Sequence, residues 1–339
     1  MIKLSICIPT YNFGKFIGQT LDSIIPNLRD GVEVIVLDGG STDDTANTVA
    51  ARQHDLRQLT YYNQGFRGGI DRDIEKVVSL AQGKYCWLFS ADDIMLPGAI
   101  DKVLEAIKSN YDIYICEHVL CTLDMLPICP YPPFKNIPNP RLYNLGDILQ
   151  IEEYFSSART SEAFFSFMSG PIFKKETWDK AKVPDSFRNT CWIVAGHLLS
   201  RIPNGLMVYY MAEKLLHKRG GNDSFMEYGA VNRLRISLEG FTHISETVFG
   251  EGSQELFHIQ RVIKNECFPA IIGTKLLTLS THQQEDFSTL KRIVEKYYLN
   301  AGVVNFFRYL IFIFIPIQLI KPLIKYKKYL LALYKVHSH

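Results

Sequence analysis

The chain has 339 residues, of which 47% are hydrophobic, 12% aromatic and 21% charged, a composition that excludes a disordered or collagen-like protein. Its 37 basic and 35 acidic residues nearly cancel, which is too small an excess to argue for a nucleic-acid partner. The balance is uneven along the chain. Residues 303–339 hold six basic side chains (Arg308, Lys321, Lys325, Lys327, Lys328, Lys335) and no acid, leaving 31 basic against 35 acidic groups elsewhere, a net of −4.

The first hundred residues alternate strand and helix signals. The isoleucine-rich run Lys3–Ile8 predicts a strand, the turn Pro9-Thr10-Tyr11-Asn12 follows, and Phe16, Ile17, Leu21, Ile24 and Ile25 recur at helical spacing. Val32–Leu37 predicts a second strand ending in Asp38-Gly39-Gly40-Ser41, and Thr42–Arg52 a helix with Asp43 and Asp44 at its positive end. Strands are predicted at Leu59–Asn63 and Tyr85–Phe89, with helices at Arg72–Gln82 and from Pro97 to Ser109. This alternation is that of an α/β protein with a mostly parallel sheet, whose ligands bind beyond the carboxyl ends of the strands. The polar turns at 9–12, 38–41 and 90–93 all fall at such ends.

Farther along, six prolines between 127 and 147 forbid a long helix and predict an ordered connection. Ile151–Ser157, Phe164–Phe173 and Cys191–Arg201 are apolar runs, and 227–300 reads as mostly helical. The seven cysteines are odd in number and lack a Cys-x-x-Cys pair, which predicts buried thiols in a reducing compartment. Pro9 stops the N-terminal apolar run before a cleavable signal peptide develops, so a protein in, or facing, the cytoplasm is expected.

Asp92-Asp93, on a loop directly after a buried strand, has two readings: carboxylates for a hard divalent cation that neutralises a diphosphate, or a helix cap. Asp38 is either part of a strand-to-helix turn or an acceptor for a nucleobase or ribose. Arg72, in Gly69-Ile70-Asp71-Arg72-Asp73, is either solvated or turned to a diphosphate.

Together Ser5-Ile6-Cys7-Ile8-Pro9-Thr10-Tyr11-Asn12, Val36-Leu37-Asp38-Gly39-Gly40-Ser41-Thr42-Asp43-Asp44-Thr45 and Ala81–Asp93 resemble three successive blocks of family 2 glycosyltransferases. The resemblance covers about residues 1–110. It implies a GT-A fold with a nucleotide sugar at the strand ends: Pro9, Thr10, Tyr11 and Asp38 around the nucleoside, Arg72 near the phosphates, and Asp92, helped by Asp93, on Mn²⁺ or Mg²⁺. Many relatives have Asp-x-Asp-Asp where this chain has Ser90-Ala91-Asp92-Asp93, so Ser90 supplies a hydroxyl in place of a carboxylate. The run Gly69–Asp73, the Tyr85–Asp93 block and Arg219-Gly220-Gly221-Asn222-Asp223-Ser224 further resemble O-antigen abequosyltransferases and similar dideoxyhexose transferases.

The family's acidic general-base pair is not evident between 165 and 225; Asp185, in a Pro-Asp-Ser turn, and His197 are the candidates, with a plain turn and a core ring as their structural readings. His217–Asp223 reads as a basic loop, either closing over the diphosphate through Arg219 or forming a surface turn. Val303–Ile320 is marginal as a membrane span, and the lysines that follow, interleaved with Tyr326, Tyr329 and Tyr334, suit an interfacial helix on an anionic leaflet rather than a span or an oligomer helix. The expected organisation is a GT-A domain over 1–225, with a donor half to 110 and an acceptor half beyond it, a helical region over 226–302 and a membrane-associating tail over 303–339. The expected acceptor is a polyprenyl-diphosphate-linked oligosaccharide at the cytoplasmic face of the inner membrane. A non-catalytic nucleotide-sugar-binding scaffold and a nucleotidyltransferase are the rival readings. The latter lacks its expected glycine-rich basic loop after the first strand.

Overall fold

The computed structural model describes residues 1–53, 58–223, 225–226, 229–280, 284–316 and 318–319. Its centre is β1 (Leu4–Thr10), buried along its whole length. Parallel neighbours flank it: β2 (Val32–Asp38), with β3 (Leu59–Asn63) outside that, and β4 (Tyr85–Leu88) on the other side. The register aligns Thr10 with Asp38 and Cys7 with Leu88, so the carboxyl ends of the parallel strands open at one edge. Side chains of β1 alternate faces, as the strand period of two requires. Leu4, Ile6 and Ile8 pack with α1 (Gly14–Ile24), α2 (Thr45–Gln53) and α4 (Ala99–Ala106), while Cys7 packs with α3 (Ile70–Leu80).

Asp43 delays the start of α2 from the predicted Thr42 to Thr45, because its carboxylate accepts hydrogen bonds from the Thr45 amide (3.0 Å) and hydroxyl (2.5 Å). Gly98, at φ 78°, sets the start of α4 just past the predicted Pro97.

Beyond β4 the sheet mixes directions. The two-residue β5 (Ile94–Met95) pairs with β10 (Met207–Arg219), which runs parallel to β6 (Ile113–Cys121); β9 (Pro171–Lys174) lies antiparallel between β4 and β6. The proline-rich connection is not irregular throughout. It contains β7 (Pro127–Tyr131), on β6, and β8 (Arg141–Asn144), on β10, and prolines are tolerated in β7 because it is paired on one side only. The predicted loop His217–Asp223 is likewise corrected: His217, Lys218 and Arg219 finish β10, and the turn starts at Gly220.

Helices complete the other face: α5 (Ile148–Ser157), the short α6 (Lys175–Asp179), α7 (Ile193–Leu199), α8 (Ala230–Arg235), α9 (Phe241–Phe249), α10 (Gln254–Ser280), α11 (Gln284–Val294) and α12 (Val303–Phe314). Their buried side chains join those of α3 in one continuous cluster running from Ile74 through Leu198, Ile244 and Ile263 to Phe312. Arg261 of α10 seals the end of α5 by donating from Nη2 to the carbonyls of Ser156 and Ala158, both at 3.1 Å. Five of the seven cysteines are buried, Cys129 is exposed and Cys191 is half-buried; all are free. Among the described residues no helix is long and apolar enough to cross a membrane. Lys321, Lys325, Tyr326, Lys327, Lys328, Tyr329, Tyr334 and Lys335 lie outside the described residues.

Candidate functional site

The turn after β2 holds its shape through Asp38. The fully buried carboxylate accepts from the Ser41 amide (2.7 Å) and the Tyr61 hydroxyl (2.5 Å). Burial, reinforced by the Asp38 charge, drives the Tyr61 phenol well above its usual range, so this proton stays on tyrosine. The turn after β1 is tied to the same loop. Asn12, at φ 56°, accepts from the Thr42 amide at 2.8 Å, and its own amide donates to the Ser41 hydroxyl at 2.8 Å. Pro9 is buried opposite Leu37, and the neighbouring Thr10 hydroxyl is buried without a partner, a polar atom left over at the strand end. The Arg67 guanidinium lies 4.5 Å from the centroid of the Tyr11 ring, giving the mouth a cationic and aromatic wall.

A second carboxylate, Asp73, is buried beside these turns and accepts from the Gln64 amide at 2.6 Å. Burial pushes its carboxyl up, and the Asp38 charge adds to the effect. Two glycines make room for it: a Cβ at Gly39 or Gly68 would stand 2.6 or 2.4 Å from its oxygens. Arg72, between Asp71 and Asp73, is exposed on the first turn of α3, with no hydrogen-bond or ion-pair partner among the described residues.

After β4, the two aspartates have different roles. Asp92 accepts from the Ser90 hydroxyl (2.5 Å) on one oxygen and from the Asn222 amide (2.9 Å) on the other. Each oxygen keeps one acceptor position. Asp93 turns inward, where it accepts from the Ser169 hydroxyl (2.8 Å) and the Arg219 amide (3.1 Å), and burial followed by the Asp92 charge pushes its carboxyl up. The carboxylate expected to assist a cation is thus turned inward onto Ser169 and Arg219. Arg219 is also a brace rather than a free cation. Its guanidinium donates to the carbonyls of Asp92 (2.9 Å) and Leu123 and to the Gln19 side chain (2.7 Å).

Among the described residues no three His, Cys, Asp or Glu side chains converge as a protein-made metal cage. The donor set at Asp92 fits a different mode, in which one carboxylate holds the cation and substrate phosphates and water complete its shell.

His197 and Asp185 do not have the surroundings of a base. The imidazole stacks on Trp178 with ring centroids 3.7 Å apart, its Nδ1 lies 3.4 Å from the Trp178 carbonyl, and its Nε2 lies 3.2 Å from Glu75. Burial holds it below its usual pKa despite Glu75, as for a core ring. Asp185 is almost fully exposed and paired with Arg188, which also binds Glu75 at 2.7 Å. A further link between the two halves, which sequence reasoning passed over, is Asp71. From the start of α3 it accepts the Cys191 (2.9 Å) and Ile193 (3.2 Å) amides at the entrance to α7.

A second set missed in the sequence adjoins Asp93 along β10. Lys218 donates to Glu162 at 3.0 Å and lies 4.1 Å from the Phe167 ring centroid, while His118 Nδ1 is 3.3 Å from the other Glu162 oxygen. Burial pushes Glu162 up to about 7 against the pull of Lys218, and pushes His118 down to about 3. Its members come from β6, β10 and the segment before β9, so no local spacing announces them.

Parallel strands with acidic and hydroxyl-bearing turns at their carboxyl ends, extended by antiparallel strands beyond β4, define a GT-A fold. Residues 5–148 match the profile of Glycosyl transferase family 2, so this part of the chain carries a family 2 glycosyltransferase domain. It is 27% identical over 253 residues to abequosyltransferase RfbV of Salmonella typhimurium, covering 73% of this chain and 76% of that one. Its fold is similar to that of S. aureus TarS 1–349 in complex with UDP-GlcNAc, at TM-score 0.60 and 13% identity over 88% of this chain and 83% of that one. It is also similar to the mannosyltransferase PcManGT from Pyrobaculum calidifontis in complex with GDP-Man and Mn²⁺, at TM-score 0.52 and 14% identity over 89% and 77% of the two chains.

Proposed function

We propose that this protein transfers a sugar of the dideoxyhexose class from a nucleotide sugar to a hydroxyl of a polyprenyl-diphosphate-linked oligosaccharide. The setting would be bacterial O-antigen or surface-polysaccharide synthesis, at the anionic cytoplasmic face of the inner membrane. The observation that carries the reading is the length of the likeness to the abequosyltransferase: 253 residues cannot fit within the family-matched segment 5–148, so the likeness extends into the half that must hold the acceptor.

In the proposed arrangement residues 1–110 hold the donor and 111–225 the acceptor. Pro9, Thr10, Tyr11 and Asp38 line the nucleoside, Ser90 lies by the ribose, and Arg72 faces the diphosphate. Asp92 would hold Mn²⁺ or Mg²⁺, which supplies charge neutralisation for the departing diphosphate. The acceptor oxygen bonds to the anomeric carbon as the bond from that carbon to the diphosphate breaks, the electron pair leaving with the nucleotide. We assign the acceptor's proton to Glu162, a carboxylate whose raised pKa is matched to base work near neutrality and which Lys218 and His118 hold in place. Asp93 and Arg219 position Asp92 without touching the donor.

Thermal-shift screening with a panel of nucleoside diphosphates and Mn²⁺, followed by product analysis with nucleotide sugars and lipid-linked acceptor, tests the reading. Stabilisation by one nucleotide and formation of a glycosylated lipid are expected. Absence of binding to any nucleotide would overturn it.

A further inference from the structure

Helix α12 is turned inside out for a helix bathed in water. Val304, Phe307, Ile311 and Phe314 recur every three or four residues and, with Val303, form one stripe; in chain order from Val303 the five are 74%, 65%, 58%, 46% and 74% exposed. The helix's polar side chains are on its inner flank. The Asn305 amide donates to the Ala301 carbonyl at 2.9 Å, and Arg308 donates to Asn305 at 3.0 Å with its guanidinium 5.6 Å from the Phe268 ring centroid. Phe312, on the opposite side from the stripe, is fully buried and stacks on Phe287.

The helix is also fixed in this orientation. Lys275 of α10, 5% exposed, donates from Nζ to the carbonyls of Phe312 (2.5 Å), Ile313 (3.3 Å) and Ile315 (3.1 Å) at the end of α12. Rolling the stripe inward would strip a buried ammonium of its acceptors. Immediately beyond, the sequence of residues 320–339 contains Lys321, Lys325, Lys327, Lys328 and Lys335 and no acidic residue.

We propose that the outer stripe of α12 seats the protein in the interfacial layer of an anionic bilayer, with its apolar side chains at the boundary with the acyl chains, a surface that the basic composition of the following residues favours. Such a stripe without charge, continued by a basic segment, is the pattern of a helix lying in the membrane plane. A second copy of the chain is the other occupant such a stripe can take, and the test below separates the two. The inference deepens the membrane setting proposed above but is measured without donor or acceptor, so its failure is separate from failure of the transfer reaction.

The test is co-sedimentation of the full chain with vesicles of phosphatidylethanolamine and phosphatidylglycerol, compared with vesicles of phosphatidylcholine, alongside the double variant Phe307→Asp/Phe314→Asp. The wild type should pellet with the anionic vesicles, and the double variant should bind roughly tenfold more weakly. Its melting temperature and nucleotide binding should be unchanged, since both positions are exposed and remote from the strand ends. A third variant, with Lys321, Lys325, Lys327 and Lys328 all changed to Gln, should lose the preference for anionic over neutral vesicles. Wild-type binding that survives the double variant overturns the proposal. So does a wild type that ignores vesicles, whether it stays monomeric or forms a concentration-dependent dimer that the double variant dissolves.

Discussion

The carboxyl edge of β1–β4 and the outer face of the C-terminal helices are built on opposite rules. At the edge, polar groups are held by partners from other segments: Asn12 by Thr42, Asp38 by Tyr61 and Asp92 by Asn222. Among the helices, α12 leaves large apolar side chains outside and turns its arginine in. Preorganised hydrogen bonds suit a site that must hold a charged donor in one pose, whereas an uncovered apolar stripe suits a surface completed by something outside the chain. Near the strand ends, Asp71 ties the start of α3 to the entrance to α7, and Lys218 links Glu162 to the strand that braces Asp92.

Substitutions can test how separate the two regions are. The largest effect is expected from Asp92→Ala, which should lower turnover by about a thousandfold. Because the Asp92 carboxylate is bonded, among the described residues, only to Ser90 and Asn222, the melting temperature should change little; unchanged turnover would remove the proposed role on the cation.

Next is Glu162→Gln, for which a loss of roughly a hundredfold is expected for a general base. With the carboxyl near 7, wild-type turnover should rise with pH through that value, and the glutamine variant should lose this limb. Burial sets the midpoint, lowered by Lys218 and raised by Glu266, while His118 and Tyr131 also face the carboxyl. Stability should run the other way. The folded carboxyl holds its proton from its ordinary value near 4.5 up to about 7, so its contribution is complete at low pH and is lost as pH rises across that window. Melting curves of wild type and variant at both ends of the window should converge at the acidic end if the carboxyl is responsible.

Asp71→Ala removes the acceptor for two α7 amides and should cost about 1–3 kcal/mol in urea unfolding, a loss of coupling between the halves rather than of chemistry. The smallest effect is expected from Arg72→Gln, which removes an exposed side chain of α3. The variant should be as stable as wild type and bind nucleoside diphosphate about tenfold more weakly, read by calorimetry. Loss of stability instead would make Arg72 a structural residue.

Much of the N-terminal third was legible because its signals are local. The runs at Leu4–Thr10, Val32–Asp38, Leu59–Asn63 and Tyr85–Leu88 are β-branched or aromatic and stopped by turn residues, and the structure places strands at each. The strands β6 and β10 were not anticipated, since their pairing joins residues about a hundred positions apart and is written in neither segment alone. The same holds within the site. Asp92 and Asp93 are neighbours of identical chemistry, and only the position of Ser169 and of the Arg219 amide turns one inward and leaves the other at the strand end. His197 read as a candidate base in a helical run because nothing in that run shows Trp178 lying flat against it.

By itself, then, the order of residues determined the parallel strands, their acidic end turns, the family they mark and the basic apolar character of the tail, because period, turn chemistry and charge are properties of short segments. Tertiary structure decided which carboxylate turns inward and which stays at the strand end, which arginine serves as a brace, that Glu162 shares a cluster with Lys218 and His118, and which face of α12 stays uncovered. Those outcomes depend on burial and on partners brought from distant parts of the chain, where a hydrogen bond or its loss decides what each charge can do.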